Sequence, residues 1–241
     1  MPDPLLSLEA VETQIGPYHI LHGVDLAVPV GGCTMLLGRN GAGKTTTVRT
    51  IMGLWRASAG RLLFDGRDVT RLGTPDIARL GIGYVPESMG VFSDLTVAEN
   101  MRLAARSGRI DPGRLDGIFA AFPALKRFWL GRAGHLSGGQ KQMLSIARAI
   151  VEPRRLLIID EPSKGLAPAI IQNMIAVFRD LKRTGVTLLM VEQNLLLASA
   201  VGDTVAVMDD GRVMHAGSMA QLVRDGALQQ RLLGLSLAEH Q

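Results

Sequence analysis

Gly38-Arg39-Asn40-Gly41-Ala42-Gly43-Lys44-Thr45-Thr46 is the stretch whose reading decides the fold. An apolar run, Cys33 to Leu37, precedes it, and a helix-like run, Thr46 to Leu54, follows it. Strand, glycine-rich loop and helix in that order are the context of a phosphate-binding loop. Gly38, Gly41 and Gly43 let the backbone turn its N–H groups inward, where each can donate to a phosphate oxygen. The start of the helix adds partial positive charge at the same place. Lys44 brings a full charge for the β- and γ-phosphates, and the Thr45 hydroxyl is placed to ligate Mg²⁺. A glycine-rich turn with a chance lysine would not also carry the correct flanks. The loop implies a nucleoside triphosphate and leaves the use of its energy open.

Outward from the loop, apolar runs and turn signals alternate. Leu6 to Val11 and Val24 to Val28 read as strands, with Gly16-Pro17 between them and Gly31-Gly32 after them. Cys33 to Leu37 has the continuous apolar character of a strand buried on both faces. Arg61 to Phe64 is a further strand, ended by Asp65-Gly66. Thr74-Pro75-Asp76 predicts a short helix with Thr74 as N-cap and Pro75 at its first position. Ile82 to Val85 is a strand that stops at Pro86.

The pattern changes from Thr96 to about Phe128. Thr96 and Glu99 have capping-box spacing. Apolar residues then recur at helical intervals through Met101, Leu103 and Ala104, and again through Leu115, Ile118, Phe119 and Phe122. This is a helical insert whose apolar face is core or a docking surface. A helix follows Ser137 to Val151, a strand spans Leu156 to Ile159, a long helix Pro168 to Arg183 and a buried strand Val186 to Val191. Thr204 to Met208 and Arg212 to His215 flank the hairpin signal Asp209-Asp210-Gly211, and short helices fill Met219 to Leu233. Strands alternating with helices predict an α/β fold with a mainly parallel sheet covered on both faces.

Composition sets outer bounds. Hydrophobic residues make up 47% of the 241 and charged residues 20%, an ordinary globular balance. No apolar run approaches the roughly 18–20 residues needed to span a bilayer. Met1-Pro2-Asp3-Pro4 lacks the basic start of a signal peptide. Cys33 is the single cysteine, which rules out a disulfide framework and a cysteine metal cluster. Together these lead us to expect a cytosolic protein. The net charge of +4 comes from scattered arginines, and no nucleic-acid-binding motif accompanies it, so we expect no nucleic-acid partner. The histidines have no metal-ligand spacing; His19, His22, His135 and His215 read as structural or solvated, and His240 as tail.

Two further motifs carry chemistry. Leu156 to Ile159 ends in Asp160-Glu161. In a P-loop NTPase a strand beside the P-loop strand delivers an aspartate to Mg²⁺. Asp160 is that candidate, and Glu161 the candidate base for the attacking water. A pair of solvated acids at a strand end would look the same in isolation; the complete P-loop decides for function. In Leu136-Ser137-Gly138-Gly139-Gln140, Ser137 can cap the following helix, and the glycines let a phosphate approach its N–H groups. A second anion-binding helix start is redundant in a monomer that has a P-loop. It makes sense closing on a nucleotide held by another copy or a partner.

Leu136 to Gln140 reads LSGGQ and resembles the signature motif of ABC ATPases. With the P-loop and the Asp160 strand, the resemblance covers about Leu6 to Leu233. It implies one α/β ABC ATPase domain over residues 1–241, with a mainly parallel core sheet, an antiparallel N-terminal β part and a helical subdomain at about 96–136. It also implies ATP and Mg²⁺, and a head-to-tail dimer in which Leu136, Ser137, Gly138, Gly139 and Gln140 face ATP on the other subunit's P-loop. The partners implied are membrane-spanning permease subunits and, through them, a substrate-binding protein. That places the chain peripherally on the cytoplasmic face of the inner membrane.

The segments Val85-Pro86-Glu87, Val91-Phe92-Ser93, Leu95-Thr96-Val97, Glu99-Asn100, Asp160 to Ser163, Gly165 to Pro168 and Val191 to Asn194 are similar to those of branched-chain amino acid importers' ATP-binding subunits. Glu87 and Gln193 stand where most ABC ATPases have glutamine and histidine, as they do in that subfamily. Glu87 can bind Mg²⁺ or the attacking water. Gln193 can donate to the γ-phosphate but cannot carry a proton, which leaves Glu161 as base. Some positions depart from the pattern. Ile15 stands where an adenine-stacking aromatic is usual; either Tyr18, three residues on, replaces it, or Ile15 itself serves as an apolar platform. Ser88-Met89-Gly90 replace a basic residue, and Lys164 stands where leucine is common. The expected function is ATP hydrolysis driving branched-chain amino acid import. The alternatives are import of urea, short-chain amides or other amino acids, a homodimer or a pair with a related ATPase, and a non-transport ABC ATPase acting on DNA or the ribosome. The signature motif argues against a kinase or GTPase.

Overall fold

The computed structural model describes residues 4–234. Met1 to Asp3 and His240 lie outside them. The strands are β1 (Leu6–Ile15), β2 (Tyr18–Val28), β3 (Cys33–Gly38), β4 (Ala57–Phe64), β5 (Arg67–Asp68), β6 (Ile82–Val85), β7 (Leu156–Asp160), β8 (Thr187–Val191), β9 (Thr204–Asp209) and β10 (Arg212–Ser218). The helices are α1 (Lys44–Ile51), α2 (Thr74–Arg79), α3 (Val97–Ala104), α4 (Pro112–Ala121), α5 (Pro123–Arg127), α6 (Gly138–Ile150), α7 (Pro168–Arg183), α8 (Leu195–Val201), α9 (Met219–Arg224) and α10 (Gly226–Leu233).

Two sheets form. One is antiparallel, in the order β2-β1-β4-β5. The other has the order β10-β9-β3-β8-β7-β6 and is parallel except for the β9–β10 hairpin. Both faces of its centre are covered. Met35, Leu157, Ile159, Leu188 and Met190 belong to one buried cluster, and their chain neighbours Leu36, Leu156, Ile158, Leu189 and Val191 to the other. That alternation is the pleat of strands sandwiched between layers, and it explains their unbroken apolar sequence. Val97, Met101, Ile118, Phe122 and Leu125 join the first cluster, so α3–α5 share a core with α6 and α7.

Three expectations are corrected. The P-loop strand β3 lies between β8 and β9, so β7, which carries Asp160, is not its neighbour. The N-cap of α2 is Gly73; Thr74 is already helical, and no side chain caps the helix. Leu103, expected on the apolar stripe, is 62% exposed. The α3 capping box forms as the spacing predicts, Thr96 accepting from the Glu99 N–H and Glu99 from the Thr96 N–H.

Candidate functional site

The site gathers at the carboxyl ends of β3, β6, β7 and β8, where an open parallel sheet exposes its loops. These ends carry Gly38, Glu87, Asp160-Glu161 and Glu192-Gln193 respectively. Gly38 has φ 146°, and a Cβ there would collide with the Met208 carbonyl, so only glycine lets the loop leave β3 at this angle. Gly43 has φ 99° and is the N-cap of α1, with no side-chain cap on the helix. The first turn of α1 is thus left open to a ligand.

Lys44 is buried, and its Nζ donates to the carbonyls of Gly38 and Arg39 at 2.9 Å each. It lies 3.8 Å from Glu161. Burial lowers its pKa, against the opposing pull of Glu161, Asp160 and Glu192. Thr45 Oγ1 donates to Asp160 Oδ1 at 3.2 Å, and the Tyr84 hydroxyl to Asp160 Oδ2 at 3.3 Å. Asp160 is fully buried, and desolvation pushes its pKa up to about 6 despite those two hydrogen bonds. Tyr84, itself pushed up to about 12 by burial, stays a neutral donor. β7 thus reaches the P-loop across β8 because Asp160 stands at its very end.

Glu161 has φ 47°, a conformation that non-glycine residues rarely hold. Its N–H bonds to the Val191 carbonyl at 3.0 Å, and Gln193 Nε2 donates to its Oε1 at 2.6 Å and to Asn40 Oδ1 at 2.8 Å. Its Oε2 is 3.5 Å from Lys164, which also pairs with Glu87 Oε1 at 2.5 Å. Glu87 and the unusual Lys164, distant in sequence, therefore meet. The loop that bears Glu87 is moored on α6: Ser145 Oγ donates to the Met89 carbonyl at 2.6 Å, and Arg148 donates to that of Gly90.

Asn40, Gly41, Gly43, Lys44, Thr45, Thr46, Glu87, Glu161 and Lys164 line one cavity of about 330 Å³. An adjoining set, Gly38, Arg39, Asn40, Glu192 and Gln193, lines another of about 360 Å³. Ala42 is buried behind the loop. A larger cavity of about 710 Å³, beside α4 and α7, contains none of the motif residues. Thr45 and Asp160, with Glu87 nearby, offer hard oxygens. Among the described residues no three His, Cys, Asp or Glu side chains are grouped to hold a metal. Such a sparse oxygen set fits Mg²⁺, which takes few protein ligands and completes its shell with phosphates and water.

A family model described as ABC transporter matches residues 21–164. The chain belongs to the ABC transporter family. It is 38% identical over 232 residues to the high-affinity branched-chain amino acid transport ATP-binding protein BraG of Pseudomonas aeruginosa, covering 95% of this chain and 100% of that one. It is 34% identical to the probable branched-chain amino acid transport ATP-binding protein LivF of Archaeoglobus fulgidus, over 90% and 93% of the two chains. A solved ATP binding subunit of an ABC transporter superposes with a TM-score of 0.80 at 29% identity, over 98% and 97% of the two chains. The protein is thus an ATPase cassette of that family.

In this ABC ATPase the LSGGQ stretch opens α6. Ser137 Oγ accepts from the Gln140 N–H at 3.3 Å, and Gln140 Oε1 accepts from the Ser137 N–H at 2.9 Å. Ser137 and Gly138 are exposed, with nothing near Gly138, while Leu136 and Gly139 are buried. A Cβ on Gly139 would meet Ile170 of α7 at 3.0 Å, so the second glycine also serves packing. None of these residues lines the two P-loop cavities. Tyr18 is 69% exposed and pairs with Ile15 across the β1–β2 hairpin, so both adenine candidates occupy one rung. Sequence reading missed Ile20, which lines the cavity with Lys44 and Thr45, and Glu192, whose signal was a charge directly after the apolar strand β8.

Proposed function

We propose that this chain energises the uptake of branched-chain amino acids through separate membrane subunits, as a peripheral ATPase on the cytoplasmic face of the inner membrane. The observation that carries the cargo is the 38% identity to BraG, end to end over that chain. Among the described residues no helix is long and apolar enough to cross a membrane, which fits a motor that works through others. Phe92, Leu103, Phe128 and Leu130, all large, apolar and exposed in or beside the helical region, suit contact with permease subunits.

In the proposed cycle Gly38 to Thr46 hold the phosphates of ATP, with Lys44 on the β- and γ-phosphates. Leu136 to Gln140 of a second ATPase subunit, identical or related, close on the γ-phosphate. Thr45 and Asp160, with Glu87, would hold Mg²⁺, which when bound neutralises phosphate charge. Glu161 takes the proton of the attacking water, while Gln193 donates to the γ-phosphate and holds Glu161. Copurification of the tagged chain, followed by uptake of labelled leucine and labelled urea in a deletion strain, tests this. We expect membrane partners and loss of leucine uptake. Loss of urea uptake alone would overturn the cargo; ribosomes or DNA as the only partners would overturn transport.

A further inference from the structure

Glu192 has no part in the cycle just described, yet it is the most heavily hydrogen-bonded acid at the site. It is 1% exposed. Its Oε1 accepts from the Ser163 N–H at 3.0 Å. Its Oε2 accepts from the Ser163 hydroxyl at 2.8 Å, the Gln193 N–H at 3.0 Å and the Asn194 N–H at 3.1 Å. Its own N–H bonds to the Leu36 carbonyl at the end of β3, at 3.2 Å.

Burying a carboxylate is costly unless hydrogen bonds compensate it. Three of the four donors are backbone N–H groups, which cannot accept, so the arrangement suits an anion. The groups it collects belong to two loops, 161–167 and 192–194. Both loops touch Glu161: one contains it and supplies Lys164 at 3.5 Å, and the other supplies Gln193 at 2.6 Å. Ser163 lies two residues past the strained backbone of Glu161.

We infer that Glu192 is a positioning residue for hydrolysis: its carboxylate locks the loop after β7 to the loop after β8, and so fixes Gln193 against Glu161. This deepens the proposed cycle and rests on Glu161 being its base. Removing the lock lets Gln193 leave Glu161 and Asn40 while the P-loop contacts to ATP persist. Loss of Glu192 should therefore lower kcat rather than ATP affinity, and should act through Gln193.

The test is a double-mutant cycle on ATP hydrolysis, with ATP affinity and thermal melting measured for each variant. Glu192→Gln keeps the size but turns an NH₂ toward donors. It should lower kcat about tenfold or more with ATP affinity within about twofold. In a Gln193→Ala background it should lower kcat by no more than about twofold further. Equal losses in both backgrounds, or unchanged hydrolysis by Glu192→Gln, would overturn the inference. Should Glu192→Gln fail to fold, Ser163→Ala measures the same coupling from the other loop. It should be non-additive with Gln193→Ala, and additivity would overturn the inference. Glu161→Gln, assayed alongside, separates the two ideas. Normal hydrolysis there removes the base assignment, whereas the coupling of residues 192 and 193 is read independently.

Discussion

The starts of α1 and α6 are both glycine-flanked helix N-termini, and they satisfy their first turns in opposite ways. α1 begins after Gly43 with no side-chain cap, beside Lys44, Asp160 and Glu161. α6 begins with a closed capping box between Ser137 and Gln140 and lies apart from those residues. The first is built for a ligand in its own chain, with cations and acids already placed. The second is self-sufficient as a helix start, yet Ser137 keeps a spare donor: its Oγ accepts from Gln140, which leaves its O–H free. Gly138, exposed and open, leaves room beside it. We propose that these are two unlike half-sites, which complete each other across two subunits.

The largest effects are expected at α1. Lys44→Ala removes the buried positive charge of the loop and should abolish ATP binding by the isolated chain, measured by calorimetry; retained binding would mean that backbone donors and Arg39 suffice. Glu161→Gln should leave ATP bound and lower kcat by about 10²–10⁴. Intact turnover there, with turnover lost in Gln193→Ala, would move the base to another residue.

The smallest effect sharpens what the ligand-ready end costs. Burial holds Asp160 at about 6, above the 3.8 of a free aspartate. The folded chain therefore binds this proton more tightly than the unfolded chain. Asp160 detracts from stability above about pH 6, and that penalty fades as pH falls toward 4. Asp160→Asn should stabilise the nucleotide-free protein by on the order of 2–3 kcal/mol at pH 8 and by little at pH 4, in denaturant unfolding. A pH-independent effect would place the cost elsewhere. The same substitution should weaken Mg²⁺-dependent hydrolysis, a trade of stability for function.

Much of this was legible in the sequence because the signals are local. The P-loop needs nine consecutive residues and their flanks, the Thr96–Glu99 box four, and the buried strands β3, β7 and β8 short apolar runs. What escaped depends on the order of strands in space. β8 inserts between β3 and β7, and pairing registers alone reveal it. β1 and β2 run on to Ile15 and back to Tyr18 through register shifts, polar stretches that break the alternation. The Glu87–Lys164 pair joins positions on different loops. Glu192, within the stretch Val191 to Asn194, has no role legible in the sequence because two of its four donors come from Ser163 on another loop. The signature helix is legible in its residues, whereas its absence from the lining of the P-loop cavities is a matter of placement in space.

The claim that the ATP site is shared between subunits is tested most directly by Ser137→Arg, which fills the exposed start of α6 without touching the P-loop. ATP affinity of the isolated chain and steady-state hydrolysis are measured on the same preparation. Affinity should stay within about twofold of wild type while hydrolysis and ATP-dependent dimerisation are lost. Hydrolysis at the wild-type rate would contradict the shared site.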